Sequence, residues 1–387
     1  MKKILFVCYS LKVGGIERAL VEQVNYLAQQ GEDVTLCLFS KNGPYLSEVD
    51  KNVKVIGNLS LFKYLSLTQK EAREKGTFAF LIRSAFAVIV KIIGFPRLWK
   101  ILKPFISTIG EYDIAISYTQ NLSLKSLYCG CPEFVLDKVH AKRKIAWLHA
   151  DYQRAQLANE YNNALISRFD KVVNVTACMK RKFDTLNVIA KEKSEYVYNR
   201  FSAKQIIHKA KLYDVSYNDN VLNIVSVCRL EKEKGIDQLF QVANYLSEKG
   251  LRFCWYFVGT GVLNNWCLEY ITQNQLEDKV KLVGQKSNPY PYVRAANLFV
   301  SGSLSETFGI SILEALVLGV PTIAYRYDAI GEVLNESNGF VADTFKDMQE
   351  MIEKLISDKS FYDQLKDKSH VLIDYNAQNA IQIKKIL

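Results

Sequence analysis

Short, almost wholly apolar runs recur along this chain, each followed by a polar or glycine-bearing loop and then by a stretch with helical periodicity. The first set reads KILFVCY, SLKVGG, IERALVEQVNYLAQQ and DVTLCLF. Ile16, Leu20, Val24 and Leu27 share one helical face, and Gly31 stands where such a helix would stop. A strand apolar on both faces must be covered on both sides, so the pattern predicts a βαβ unit of a parallel sheet. The opening MKKILFVCYS imitates a secretory leader, but its apolar run is short, is broken by Tyr9 and Ser10, and has no small-residue cleavage site after it. It reads as the first strand.

Further strands are expected at VKVIG (53–57), DIAISY (113–118), RKIAWLH (143–149), KVVNVT (171–176) and EYVY (195–198). After the polar stretch KLYDVSYNDN the alternation restarts with VLNIVSV, a helix over about 236–249, FCWYFVG, VKLVG, NLFVSG and PTIAY. The expected fold is α/β: two Rossmann-like, doubly wound parallel-sheet domains in series, the first over 1–205 and the second over 206–371. The last helices can pack on either domain, and the segment from about 372 to 387 is assigned back to the first. At 387 residues, with 49% hydrophobic and 23% charged, the chain is long enough for two such cores.

The formal charge of +10 calls for anionic partners. Nucleic acid is excluded as one, because no aromatic and basic platform or recognition motif is present. Eight cysteines are scattered without a CxxC or a histidine at zinc spacing, which predicts reduced, mainly buried thiols of a cytosolic chain and no metal site. Cys129-Gly-Cys131 reads as a loop without function. Positive charge concentrates between 60 and 105, around the apolar segment FAFLIRSAFAVIVKIIG at 78–94. Arg83 and Lys91 lie about 80° apart on a helix and would sit badly in a spanning one. An interfacial helix docking on an anionic membrane surface is the expectation, against an ordinary helix with a solvated basic edge.

Ligands of open parallel sheets bind beyond the C-terminal ends of the strands, so loops after strands carry the candidates. Gly14-Gly15 permits close backbone approach before a helix N-terminus. In SVCRLEKEKGIDQLF, Arg229 and Lys234 make a candidate diphosphate clamp beside another helix N-terminus. Gly259 and Gly261 of FVGTG permit close approach in a third loop. In SETFGISILEALVLGVPTIA, Glu306 falls in a loop and Glu314 one turn inside the following helix, with the amides of Phe308, Gly309 and Ile310 between them. Carboxylates accept from the paired hydroxyls of ribose and sugars. One molecule with a ribose, a diphosphate and a hexose could meet Glu314, the clamp and Glu306 in turn. A paired-carboxylate glycosidase is the rival, and the basic clamp argues against it.

Taken together, GGIERAL, VCRLEKEKGIDQLF, FVGTG and SETFGISILEALVLGVPTIA resemble glycosyltransferase family four, the retaining nucleotide-sugar enzymes of the GT-B fold, whose two domains face a cleft. The resemblance spans residues 1 to about 345 and is weakest between 60 and 110. It implies that Glu314 binds the nucleotide ribose and that Glu306, with the Phe308, Gly309 and Ile310 amides, binds the donor hexose. Arg229 and Lys234 would hold the diphosphate and stabilise the leaving group, Gly14 and Gly15 would line it, and Gly259 and Gly261 would border the donor. His149 matches a family histidine at the donor sugar, with Asp151 a weaker neighbour. The leaving phosphate would take the acceptor's proton, so the resemblance implies no protein nucleophile, no metal and no cofactor beyond the nucleotide sugar. Tyr118, Thr119 and Gln120 are placed towards the acceptor on position alone. Arg200 departs from a proline frequent in the family.

The expected activity is hexosyl transfer from a nucleotide diphosphate sugar, UDP-linked by preference, to a glycan or lipid-linked glycan of a cell-surface polysaccharide such as capsule or lipopolysaccharide. The expected place is the cytoplasmic face of the cell membrane. A sugar-nucleotide epimerase on the same fold and a non-catalytic sugar-nucleotide sensor are the alternatives.

Overall fold

The computed structural model describes residues 1–57, 62–368 and 374–387. Residues 60 and 61 of the basic region and the expected boundary at 371–372 lie outside them. The chain divides into two compact units, Met1–Phe201 with Tyr375–Leu387, and Ser202–Asp374.

In the first unit seven strands are β1 (Lys3–Cys8), β2 (Asp33–Leu38), β3 (Lys54–Gly57), β4 (Ile109–Ser117), β5 (Val139–Leu148), β6 (Lys171–Asn174) and β7 (Ser194–Tyr196). All pair in parallel in the order β3-β2-β1-β4-β5-β6-β7. β4 and β5 begin four residues earlier than their apolar runs, because the polar stretches IGEY and VHAK extend the ladder beyond the core. The helix Gly15–Gln29 follows β1, and Gly31 takes the left-handed conformation (φ 86°) just beyond it, as a stop glycine should. The closing helix, Tyr375–Ile386, belongs to this unit. Asn379 donates to the carbonyl of Tyr198 at 2.7 Å and to Gln23 at 2.8 Å, while Arg143 caps its end through the carbonyls of Ile386 and Leu387 at 3.0 and 3.1 Å. Arg200 is an anchor for the same helix: it donates to the Asn376 carbonyl at 3.2 Å and lies 3.6 Å over the Tyr26 ring.

In the second unit β8 (Leu222–Val227), β9 (Phe253–Val258), β10 (Val280–Gly284), β11 (Leu298–Ser301), β12 (Thr322–Tyr325) and β13 (Phe340–Ala342) form a second all-parallel sheet, in the order β10-β9-β8-β11-β12-β13. β13 is three residues long, too short to show in the apolar pattern. Buried Ser226 donates to the Val300 carbonyl at 2.6 Å and accepts from the Trp255 indole at 3.0 Å, tying β8 to both neighbours. Strand order reverses between β1 and β4 in one sheet and between β8 and β11 in the other. Those reversals are where doubly wound sheets open a crevice for ligands. Both sheets are Rossmann-like, and together they make the α/β architecture called GT-B.

The apolar segment forms the helix Thr77–Ile93 between Gly76 and Gly94, which hold φ values of 105° and 77°. A second helix, Phe95–Leu102, follows and buries Phe95, Leu98 and Trp99 in the first core. No single helix among the described residues is long and apolar enough to cross a membrane; these two pass such a test only as a pair bent by 120°. All eight cysteines are free thiols and seven are buried, Cys129 and Cys131 among them in the first core.

Candidate functional site

The site of the second unit is built by close backbone approach between loops. A Cβ on Gly259 (φ 152°) would stand 1.9 Å from the carbonyl oxygen of Cys228, and one on Gly261 2.3 Å from that of Leu230. The Leu230 amide donates to Thr260 at 3.1 Å and the Leu263 amide to Leu230 at 2.9 Å. The two glycines expected to border a ligand thus have the neighbouring loop against them, and they fix the segment that carries Arg229. Gly235 (φ 63°) plays the same part against the Gly302 carbonyl, where a Cβ would come within 2.1 Å. With the Leu304 amide donating to the Glu233 carbonyl at 3.0 Å, this holds the loop after β11 against the turn Lys232–Lys234.

The consequence is an ion pair. Lys234 donates to Glu306 Oε1, and Ser303 donates to the same oxygen at 3.0 Å. Arg229 is paired separately, with Glu231 at 2.7 Å, and its side chain is 65% exposed. The two cations of the expected clamp are thus each paired with a different carboxylate. Glu314 lies on the helix Ile310–Val317 and accepts from the Tyr290 hydroxyl at 2.7 Å. Gly309, left-handed at φ 79°, begins that helix, and a Cβ there would meet the Tyr327 hydroxyl at 2.4 Å. Phe308 is buried beneath the turn, and Ile310 opens the helix. Ser303, Glu231, Tyr290 and Tyr327 carried no sequence pattern; topology brings Tyr290 to Glu314 and Tyr327 to Gly309, whereas Glu231 and Ser303 are near neighbours in sequence of Arg229 and Glu306.

In the first unit, Gly14 precedes the helix Gly15–Gln29 in extended backbone (φ −176°), and the Glu17 carboxylate fills the space its side chain would take, 2.3 Å from an ideal Cβ. Burial holds the Glu17 carboxyl above its ordinary range, with Lys12 pulling the other way. Gly15, the first helical residue, is exposed. His149 directly follows β5 and is 6% exposed. Burial depresses its pKa to about 3, although the imidazole donates to the Tyr118 backbone, so the ring is neutral at pH 7. The Gln120 side chain accepts from the His149 amide at 2.9 Å, and the Tyr118 ring lies 4.6 Å from the imidazole, centre to centre.

Tyr118, Thr119 and Gln120, placed towards the acceptor by position, are 1%, 7% and 7% exposed, and Tyr118 and Gln120 brace His149. The residues after an internal strand that faces the switch point are buried by the loops packed over them. Asp151 makes a salt bridge with Lys182 at 2.7 Å and caps the turn that follows through the amides of Gln153 and Arg154.

Comparison with known proteins gives this geometry a class. Residues 215–371 match the family model described as glycosyl transferases group 1. Over 99% of its length the chain is 24% identical to a glycosyltransferase of Haemophilus influenzae, covering 98% of that protein. It is 32% identical to the capsular polysaccharide biosynthesis glycosyltransferase CapM of Staphylococcus aureus, over 46% of each chain. Among solved structures, HepE of Anabaena in complex with UDP and glucose superposes with a TM-score of 0.67 at 18% identity, covering all of this chain and 99% of that one. Fold and similarity make this a glycosyltransferase of the GT-B class. Within that class the chain resembles family four, the family match lying in its second unit.

Proposed function

We propose that this glycosyltransferase moves a hexose, with retention of configuration, from a UDP-linked sugar to a glycan or lipid-linked glycan in the synthesis of a cell-surface polysaccharide. The observation that carries the reading is the Lys234–Glu306 pair, Lys234 just before the helix Ile236–Glu248 and Glu306 in the loop before the helix Ile310–Val317, with Glu314 one turn inside that second helix. Lys234 and Arg229 would receive the diphosphate, Glu306 the hexose hydroxyls and Glu314 the ribose. The two cations would neutralise the charge that grows on the leaving phosphate, so no metal is needed. Neutral His149 would serve the donor sugar as a hydrogen-bonding group rather than as an acid. The capsular role of CapM and the UDP bound to HepE support the polymer and the base.

In the same reading the enzyme works at the cytoplasmic face of the membrane. The helix Thr77–Ile93 presents Phe78, Leu81, Val88, Ile89 and Ile92 as an exposed apolar stripe, with Ile101 and Phe105 exposed beyond it. Exposed Lys91, Arg97 and Lys100 lie on the same pair of helices. An apolar stripe edged with cations suits an anionic leaflet, each basic residue adding roughly 1 kcal/mol.

A thermal-shift series with UDP-glucose, UDP-galactose, UDP-N-acetylglucosamine and GDP-mannose tests the donor. A bound nucleotide sugar at ~100 times its Kd stabilises by about 2.7 kcal/mol. Stabilisation by UDP sugars that disappears in Glu314→Ala is expected. A shift with GDP-mannose alone, or an undiminished shift in the variant, would overturn the assignment.

A further inference from the structure

A cavity of about 310 Å³ opens in the first unit between the helices Phe95–Leu102, Cys131–Lys138 and Glu160–Ile166. That is the size of a small-ligand pocket. Its lining includes Lys100, Lys103, Glu133, Asp137, Tyr161 and Arg168, an unusual mixture of charge for a gap between helices.

Glu133 is 1% exposed. One of its oxygens, Oε1, accepts from Asn121 at 2.8 Å and from the Tyr161 hydroxyl at 2.9 Å. The other, Oε2, is buried with no hydrogen-bond partner among the described residues. A buried acceptor left bare costs ~1–3 kcal/mol, so such an atom is a place for a donor. Burial also raises the Glu133 pKa, which a hydroxyl on Oε2 would counteract.

The rim carries the opposite character. Asp137 accepts from Arg168 at 2.8 Å, from the Trp99 indole at 2.9 Å and from Lys103 at 2.9 Å. Against the upward push of burial, Arg168, Trp99 and Lys103 bring its pKa down to about 2, so it is a carboxylate already satisfied. One carboxylate against two cations leaves Lys103 and Arg168 in excess, and Lys100 has no ion-pair partner among the described residues. A ligand must therefore offer a hydroxyl to the floor and an anion to the rim.

We propose that this cavity binds an anionic sugar unit, a ring whose hydroxyl meets Glu133 Oε2 and whose carboxylate or phosphate meets Lys100, Lys103 and Arg168. Neutral sugars lack the group for the rim, and inorganic phosphate lacks the ring hydroxyls for the floor. The cavity is wired to the loop after β4. Asn121, which holds Glu133 and accepts from the Gly130 amide at 2.9 Å, is the residue next to Gln120, which holds His149. An acidic unit of the acceptor glycan fits this place, an assignment of role that rests on the proposed transfer reaction; the binding itself does not.

The test is titration of the full chain, by calorimetry, with glucuronate, glucose 1-phosphate, glucose and inorganic phosphate. Binding of glucuronate or glucose 1-phosphate, at least ~10-fold tighter than glucose and phosphate and weakened ~5-fold or more in Lys100→Ala, is expected. Lys100 is exposed, so that variant folds; Glu133→Gln should weaken the sugars further. If the sugar arms bind no tighter than phosphate alone, or Lys100→Ala leaves them unchanged, the proposal falls. Glucuronate favoured over the phosphate ester identifies an acidic sugar of the glycan as the source, and the reverse order a glycosyl phosphate. UDP added to the same samples separates the two readings, because sugar binding without UDP binding overturns the proposed donor and leaves the cavity standing.

Discussion

Replacing Glu306 by Gln should have opposite effects on nucleotide binding and on transfer. Lys234 is paired with Glu306, and the two side chains keep 16% and 23% of their exposure. At that depth the effective dielectric is about 20, which gives ~4 kcal/mol of Coulomb attraction at 4 Å. Desolvation and side-chain ordering offset most of it, leaving ~1 kcal/mol net. A diphosphate that takes Lys234 must first displace Glu306. Removing that charge should therefore tighten UDP, which has no hexose to lose, by about 5-fold, as ~1 kcal/mol requires. Hexose transfer needs the carboxylate as a hydroxyl acceptor and should fall by ~10²–10³ in kcat/KM. Calorimetry with UDP and steady-state kinetics with the active UDP sugar read the two effects. Melting should drop by only a few degrees, since ~1 kcal/mol moves a unit of this size by roughly 2–4 °C. UDP bound unchanged or more weakly by Glu306→Gln would show that Lys234 is not the phosphate ligand.

Acidification should unfold the chain partly through His149. Its folded pKa of about 3 lies below the ordinary 6.5, so the unfolded state takes the proton first and stability is lost as pH falls below 6.5 towards 3. The loss is ~2 kcal/mol at pH 5; urea unfolding at pH 7.5 and 5.0 should show it in the native chain and not in His149→Gln, and equal losses in both would refute a buried neutral ring. On the membrane face, Leu81→Asp with Ile92→Asp, at positions 59% and 73% exposed, should leave melting unchanged while reducing co-sedimentation with phosphatidylglycerol vesicles by ~100-fold. Retained binding would exclude the stripe as the contact, and equal binding to phosphatidylcholine vesicles would exclude an anionic leaflet as the partner.

The fold was readable because its strands are buried on both faces. Runs such as KILFVC and FCWYFV are apolar throughout, and glycines stop the helices where the period ends. β13 was hidden by its length, and the early halves of β4 and β5 by being polar. The charged positions of the second unit were readable as residue types in loops that follow strands, which is a consequence of chain direction alone. Their partners were not. Lys234 reaches Glu306, and Tyr290 reaches Glu314, through strand order, and nothing local in sequence records strand order; Glu231 and Ser303 stand two and three residues from Arg229 and Glu306 but form no motif with them.

The glycines show where the two kinds of information meet. Gly259 and Gly261 invite the inference that a ligand comes close, because a missing side chain leaves room for something. Here the room is taken by the carbonyls of Cys228 and Leu230. A Cβ at either position would push against the segment Cys228–Leu230, so in the proposed reading the glycines act on the diphosphate at one remove, by fixing where Arg229 stands. The same logic bears on Tyr118 and Gln120. A polar residue after a strand points to a site, but in an internal strand it is more cheaply used to hold the group beside it, and His149 is that group. Glu133 is the contrary case. It sits inside a helix, in a segment without a motif, and only a bare buried oxygen on a residue that lines a cavity distinguishes it from a structural carboxylate. Sequence pattern therefore locates the residues that meet a ligand through the backbone's direction, whereas those that meet it through an unsatisfied atom become visible only when every other hydrogen bond has been assigned.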